Sequence, residues 1–440
     1  MEIELLSRET IKPSSPTPPH LRIYPLSFID NFFLCVVPLL FFYNPNDNND
    51  QNSKISQLKK SLSHVLSKYY YFGGRFKDNV TIECNDQGVE FLVTKIKNKL
   101  SEILQSPTEK LLNLLFPDEL QWTDTDKSAA LISIQINCFE CGGMAIGICM
   151  SHKCGDAATL SNFMNDWSNI NKKLEEKEEG LLILPFSLHD GGATIFPQKN
   201  IPIFPEAVHR REKTVVCKRF VFQPSMIKFL KEMATSSSIH SPTRVLVVIA
   251  WIYKHVVSVM GLNLKTAPFA MAVNLRKRMN PPLSEESVGN MVWFSSMTPD
   301  KEEMEVKDLV VKIKEGLSDF SDFYPKLFAG RDENSLSSIY ECFKKVTQPK
   351  PNIRTVINFT SWCNFPIYEA DFGWGKPTWV TTCGCTWKNH LIILMDTSDR
   401  NGIVANVNLE ENVMAKFEHE VELLQLASLN PINVGQSSDL

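Results

Sequence analysis

Ser151-His152-Lys153-Cys154-Gly155-Asp156 is the stretch on which the fold turns. Upstream, Ala130 to Glu140 and Met144 to Met150 are alternating runs around a Cys141-Gly142-Gly143 turn, the pattern of a β-hairpin. Downstream, Leu160, Phe163, Met164 and Trp167 fall on one helical face. A strand therefore ends and a helix begins within six residues, and such junctions place side chains where ligands bind. Gly155 lets the chain turn tightly, and Asp156 can cap the helix through its first free N–H groups. His152 suits proton abstraction, since a neutral imidazole is available near pH 7. The spacing alone is common, and a surface histidine beside a capping aspartate reads the same way.

Outward from this junction the pattern is mixed α and β in two layers per domain. Ser53 to Tyr70 has helical spacing and stops near Gly73-Gly74; Thr81 to Val93 reads as a hairpin around Asp86-Gln87-Gly88. Phe32 to Tyr43, broken by Pro38, is too short for a membrane helix and reads as a buried strand pair. Lys172 to Glu179 is a charged run expected in a solvated loop. Pro185 to Arg211, with prolines at 197, 202 and 205, reads as a linker. Beyond it come a strand over 215–222, helices over 225–234, 244–259 and 302–317, strands over 391–395 and 403–409, and one closing helix over 411–426. The chain's 440 residues exceed what one core usually serves. The expected division is 1–190, a 191–213 crossover and 214–440.

Bulk numbers remove several functions. A net charge of -4 offers no field for nucleic acid or an anionic membrane. The start Met1-Glu2-Ile3-Glu4 is acidic where a secretory signal is basic. Eleven cysteines cannot pair completely and point to free thiols in a reducing cytoplasm. Cys138 and Cys141, with Cys149, His152 and Cys154, could be arranged around zinc, but the cysteines read better as small buried hydrophobes, so no metal is expected. Dinucleotide, phosphate-loop, zinc-protease and serine-elbow motifs are all missing.

A second cluster, Asp371-Phe372-Gly373-Trp374-Gly375-Lys376-Pro377, reads as a rigid loop. With His152 and Asp156 it resembles the two signatures of the plant BAHD acyltransferases, in the same order and at similar depth. Lys12 to Pro18, Cys84 to Gly88, Phe139 to Gly143, Ala272 to Met279, Val288-Gly289-Asn290 and Thr360-Ser361-Trp362-Cys363 also look like family segments. The likeness is strongest to the family's alkaloid-acetylating branch.

The resemblance implies two chloramphenicol-acetyltransferase-like domains of similar size with a channel between them, in a monomer. It implies acetyl-CoA as co-substrate, no permanently bound cofactor, and a small-molecule alcohol, an alkaloid, as acceptor. His152 is then the general base, and no acyl-enzyme forms. Thr360 and Trp362 are the candidates to stabilise the oxyanion, although core packing would equally explain Trp362. Asp156 holds the loop by pairing with Arg276, or with Arg278 as second candidate. Asp371, Gly373, Trp374 and Gly375 keep the domain intact away from the chemistry. Thr243, Arg276 and Arg278 are the candidate contacts for the CoA phosphates.

Ala157 stands where the family often has glycine, and Tyr71 where it has proline; the latter bears on the channel wall. An aromatic acyl donor, an amine acceptor and an inactive relative that only binds remain alternatives.

Overall fold

The computed structural model describes residues 2–46, 50–117, 129–176, 191–199, 201–202, 215–237, 239–302, 304–330, 332–347, 355–382 and 390–431. Two open sheets organise a mixed α/β chain. The first runs Ile3–Ile11, Val89–Ile96, Ile132–Phe139, Met144–Ser151, Val36–Tyr43, Trp379–Thr381 in spatial order. The second runs Val292–Met297, Phe269–Asn274, Ile357–Ser361, Leu391–Asp396, Ile403–Glu410, Val215–Phe222, Ser428–Leu429. A small sheet joins Ile23–Pro25, Thr81–Glu83 and Arg75–Phe76.

The hairpin before His152 forms as its alternation requires: Ile132–Phe139 and Met144–Ser151 pair antiparallel, and Gly142 takes a positive φ of 86° in the turn. Its polar face, however, is not solvated, for every residue of both strands is buried. Helices Gln51–Lys68 and Ala157–Glu175 cover the apolar face through Leu58, Leu62, Phe163 and Trp167. A second cluster, with Leu104, Leu115 and Phe116, closes the other. There Gln135 Nε2 donates to the Leu114 carbonyl at 3.1 Å, and Asn137 Nδ2 to that of Leu115 at 2.8 Å. Those bonds make the polar face tolerable in a dry layer.

The same crowding explains Gly147. A Cβ there would lie 2.2 Å from the Leu115 carbonyl oxygen, which is backbone and cannot swing aside. Gly147→Ala is expected to cost about 1–3 kcal/mol, read as a lower unfolding midpoint in calorimetry; an unchanged midpoint would refute this packing.

Four expectations change. The apolar stretch forms one strand, Val36–Tyr43, preceded by a 3-10 turn at Asp30–Phe32, rather than two strands. Pro38 lies beyond the part that pairs with Trp379–Thr381, which engages only Leu40–Phe42. Thr81 to Val93 is not a hairpin, because Thr81–Glu83 pairs with Ile23–Pro25 while Val89–Ile96 pairs with Ile3–Ile11. Asp86, at φ 56°, steers the chain between the sheets and accepts from Thr17 N–H and Oγ1. The closing helix is two, Glu411–Phe417 and Val421–Leu426. The helix after Asp156 continues through Glu175, so the start of the charged run is helical; residues 177–179 lie outside the described residues.

Within the crossover the described residues 191–199 and 201–202 include the short helix Gly192–Ile195. Ile195 and Phe196 pack with Phe28 and Trp293. Pro205 and the rest of that segment lie outside the described residues. No helix among the described residues is long and apolar enough to cross a membrane.

Candidate active site

His152 begins a 3-10 turn directly after the strand Met144–Ser151. Its N–H donates to the Cys35 carbonyl at 2.8 Å, and its ring stacks on Phe33 at 4.1 Å and 4°. Nδ1 is buried with no hydrogen-bond partner among the described residues. Burial holds the imidazole below its usual ~6.5, with the charge of Asp156 pulling the other way. The ring is therefore neutral at pH 7 and able to take a proton.

Asp156 caps the following helix as its position suggests, accepting from Thr159 N–H at 2.9 Å and Oγ1 at 3.0 Å. Its other contacts reach across to the second sheet. Arg276 Nη1 donates to Oδ2 at 2.7 Å and Nη2 to Oδ1 at 3.0 Å, a bidentate pair buried on both sides. Burial raises the Asp156 pKa, but the Arg276 guanidinium and the Thr159 bonds outweigh it, so the net shift is downward. Both carboxylate oxygens are thus engaged by Arg276 and Thr159.

A cavity with about 940 Å³ of space free of protein atoms, part of it open solvent, lies between the two sheets. One wall brings Phe33, Cys35, Val36 and His152; the other brings Met271, Phe294, Thr360 and Trp362. Strand alternation explains the second wall: Ile357 and Phe359 are buried, whereas Asn358 and Thr360 are half-buried on the opposite face. His152 and the distant pair Thr360 and Trp362 line one space.

Comparison with known proteins fits this geometry. The family model described as "Transferase family" matches residues 1–424. The chain belongs to the BAHD acyltransferase family. It is 36% identical to akuammiline synthase 1 of Alstonia scholaris over 437 residues, 97% of this chain and 98% of that one. Stemmadenine O-acetyltransferase of Catharanthus roseus is 35% identical, covering 95% and 97%. The crystal structure of vinorine synthase superposes with a TM-score of 0.81 at 32% identity, covering 98% and 100%. The chain is an enzyme, an acyltransferase of that family.

Other expected site residues of this BAHD chain lie elsewhere. Asp371 organises its own loop, its Oδ1 accepting from Gly373 and Gly375 N–H, both at 2.9 Å. Both glycines have φ 105°, a region that favours glycine. Trp374 stacks on Phe372, which meets Trp167 edge-on at 5.0 Å. This loop packs on the first core, outside the cavity lining, and the chain then adds Trp379–Thr381 to the first sheet.

The expected phosphate contacts do not converge. Arg276 is 1% exposed, and its donors go to Asp156 and to the Ser287 carbonyl. Arg278 lies over the Phe320 ring at 5.6 Å. Thr243 caps the helix Arg244–Val259 by accepting from Leu246 N–H at 3.3 Å. Neither Thr243 nor Arg278 lines the cavity with His152. Tyr71 is also absent from the lining: it is 1% exposed in the first core, stacked on Tyr24 at 4.6 Å, so the larger residue fills core and not channel.

The candidate thiols do not converge on a metal either. Cys138 and Cys154 belong to one core cluster and Cys149 to the cluster on the opposite face. The nine described cysteines are free thiols, and the described residues contain no group of three ligands for a metal.

Sequence reasoning did not join Asp30 and Asn290 to His152, though Asn290 Nδ2 donates to both Asp30 Oδ1 and the His152 carbonyl. Asp30 sits buried in an apolar run, Phe28-Ile29-Asp30-Asn31-Phe32-Phe33. A buried acid demands a partner, which was the available signal.

Proposed function

We propose that this enzyme transfers acetyl from acetyl-CoA to a hydroxyl of an alkaloid, with His152 as general base and no acyl-enzyme. The carrying observation is His152, held neutral by burial, on the wall of a cavity whose facing wall carries Thr360 and Trp362. The acceptor's O–H gives its proton to His152 as the oxygen attacks the thioester carbonyl; the carbonyl π electrons become the oxyanion. Thr360 Oγ1–H and the Trp362 indole N–H are its donors. Collapse expels CoA thiolate, which takes the proton back from His152. The name of the Catharanthus relative supports an acetyl donor. The cavity is largely apolar, which suits a bulky polycyclic acceptor.

For the CoA phosphates we favour the surface pocket of Lys228, Lys231 and His240 adjoining Thr243, where a helix N-terminus adds partial positive charge. The same reading keeps domain boundaries at 1–190, 191–213 and 214–440, with residues 379–381 reaching back to the first sheet. It places the enzyme in the cytoplasm as a monomer free of membrane and nucleic acid, and its free thiols suit that compartment.

Labelled acetyl-CoA, and in parallel an aromatic acyl-CoA, incubated with a panel of alkaloid alcohols and of amines, tests the reading by product mass. Ester formation from the alcohols is expected. Turnover confined to aromatic acyl-CoA donors or to amines would overturn the acetyl and hydroxyl assignments respectively.

A further inference from the structure

Asn290 is 0% exposed and precedes the strand Val292–Met297, yet its side chain reaches the first sheet's turn. Nδ2 donates to Asp30 Oδ1 at 2.8 Å and to the His152 carbonyl at 2.7 Å. The His152 carbonyl can only accept, and so can Asp30 in its ionised form, which burial confines to pH above about 6; the Asn290 amide therefore turns its N–H end to them. Asp30 Oδ1 also accepts from the Asn290 backbone N–H at 3.3 Å, and Oδ2 from Ser27 N–H at 2.7 Å. The flanking residues are pinned as well. Thr159 Oγ1 shares its one hydrogen between Asp156 Oδ1 and the Gly289 carbonyl, 3.0 and 3.2 Å away, and Met291 N–H donates to Asp156 Oδ2 at 3.2 Å.

The His152 ring has no Nδ1 hydrogen bond among the described residues to orient it. The ring is placed by the Phe33 stack, by an interaction with the Asn290 side chain, and by its own main chain, held at N by Cys35 and at O by Asn290. We propose that Asn290, just before the second sheet's strand Val292–Met297, is a positioning residue that locks the His152 peptide and so aims the imidazole into the cavity, with Asp30 setting the Asn290 amide. This inference rests on His152 being the base. A histidine usually takes its direction from a carboxylate or carbonyl on its far nitrogen; here a contact on the main chain from the opposite side of the cleft takes that role.

Small misplacements of a reacting group cost on the order of a hundredfold in rate, so Asn290→Ala is expected to lower kcat ten- to a hundredfold. KM for acetyl-CoA and the affinity for CoA, measured by titration calorimetry, stay within about threefold of the native enzyme. Asn290→Asp is expected to lose more, since it sets a carboxylate against Asp30 and the His152 carbonyl. Rates are taken per CoA-binding site, so unfolded protein does not count. A merely structural asparagine would lower the unfolding temperature and leave kcat per site unchanged, and that result overturns the proposal. If Asn290→Ala does not fold, Asn290→Ser, which keeps one donor, decides the matter by the same ratio. His152→Ala serves as reference. Full turnover there sinks the base assignment itself, whereas a dead His152→Ala beside an active Asn290→Ala sinks only this inference.

Discussion

His152→Ala is expected to lower kcat on the order of 10²–10⁴-fold, the range for loss of a positioned general base, while CoA still binds. Alanine removes the ring from the cavity wall but leaves the peptide that Cys35 and Asn290 hold. Residual turnover should persist, because Thr360 and Trp362 still face the cavity, and oxyanion donors act without the base. The pH profile adds an independent reading. Burial lowers the His152 pKa, so the neutral, proton-accepting form persists to pH values beneath the ordinary ~6.5. The acid limb of kcat/KM is therefore expected to have its midpoint under that value and to vanish in His152→Ala. A midpoint above 7, or the same limb in the variant, would exclude His152 as its source.

Much of this site was legible because its parts announce themselves locally. The alternating runs before His152, the glycine turn between them and the capping Asp156 are each short-range features, and each forms. Elements fixed by long-range pairing were not. Thr81–Glu83 and Val89–Ile96 each look like half of a hairpin, but their partners are Ile23–Pro25 and Ile3–Ile11. Trp379–Thr381 is three residues long, too short to carry a periodic signal, and it crosses to the first sheet. Asp30 and Asn290 are 260 residues apart, so no local spacing could join them. The polar faces of Ile132–Phe139 and Met144–Ser151 misled in another way. Alternation normally marks a wet face, whereas here a covering layer satisfies Gln135 and Asn137.

The largest loss of stability is expected from Arg276→Met. The substitution is close in length and removes only the guanidinium, leaving Asp156 buried without its partner. Breaking one side of a buried pair in this way costs about 3–5 kcal/mol. Asp156→Leu together with Arg276→Met should recover part of that loss, since no uncompensated charge remains. Recovery cannot be complete. Asp156 also caps the helix Ala157–Glu175 and accepts from Met291 N–H, and a lost cap alone is worth ~1 kcal/mol. The pH dependence separates this account from simple loss of packing. The native Asp156 pKa is depressed, so the pair's contribution is present above the unfolded carboxylate value of ~3.9. It fades only as pH falls through the still lower folded value. In Arg276→Met the stranded carboxylate has a raised pKa instead and can protonate as the solution turns mildly acidic. The difference in unfolding midpoint between native and variant, followed by calorimetry from pH 8 to pH 5, is therefore expected to narrow toward acid. A constant gap across that range would show that the lost stability lies in packing and not in the charge of Asp156.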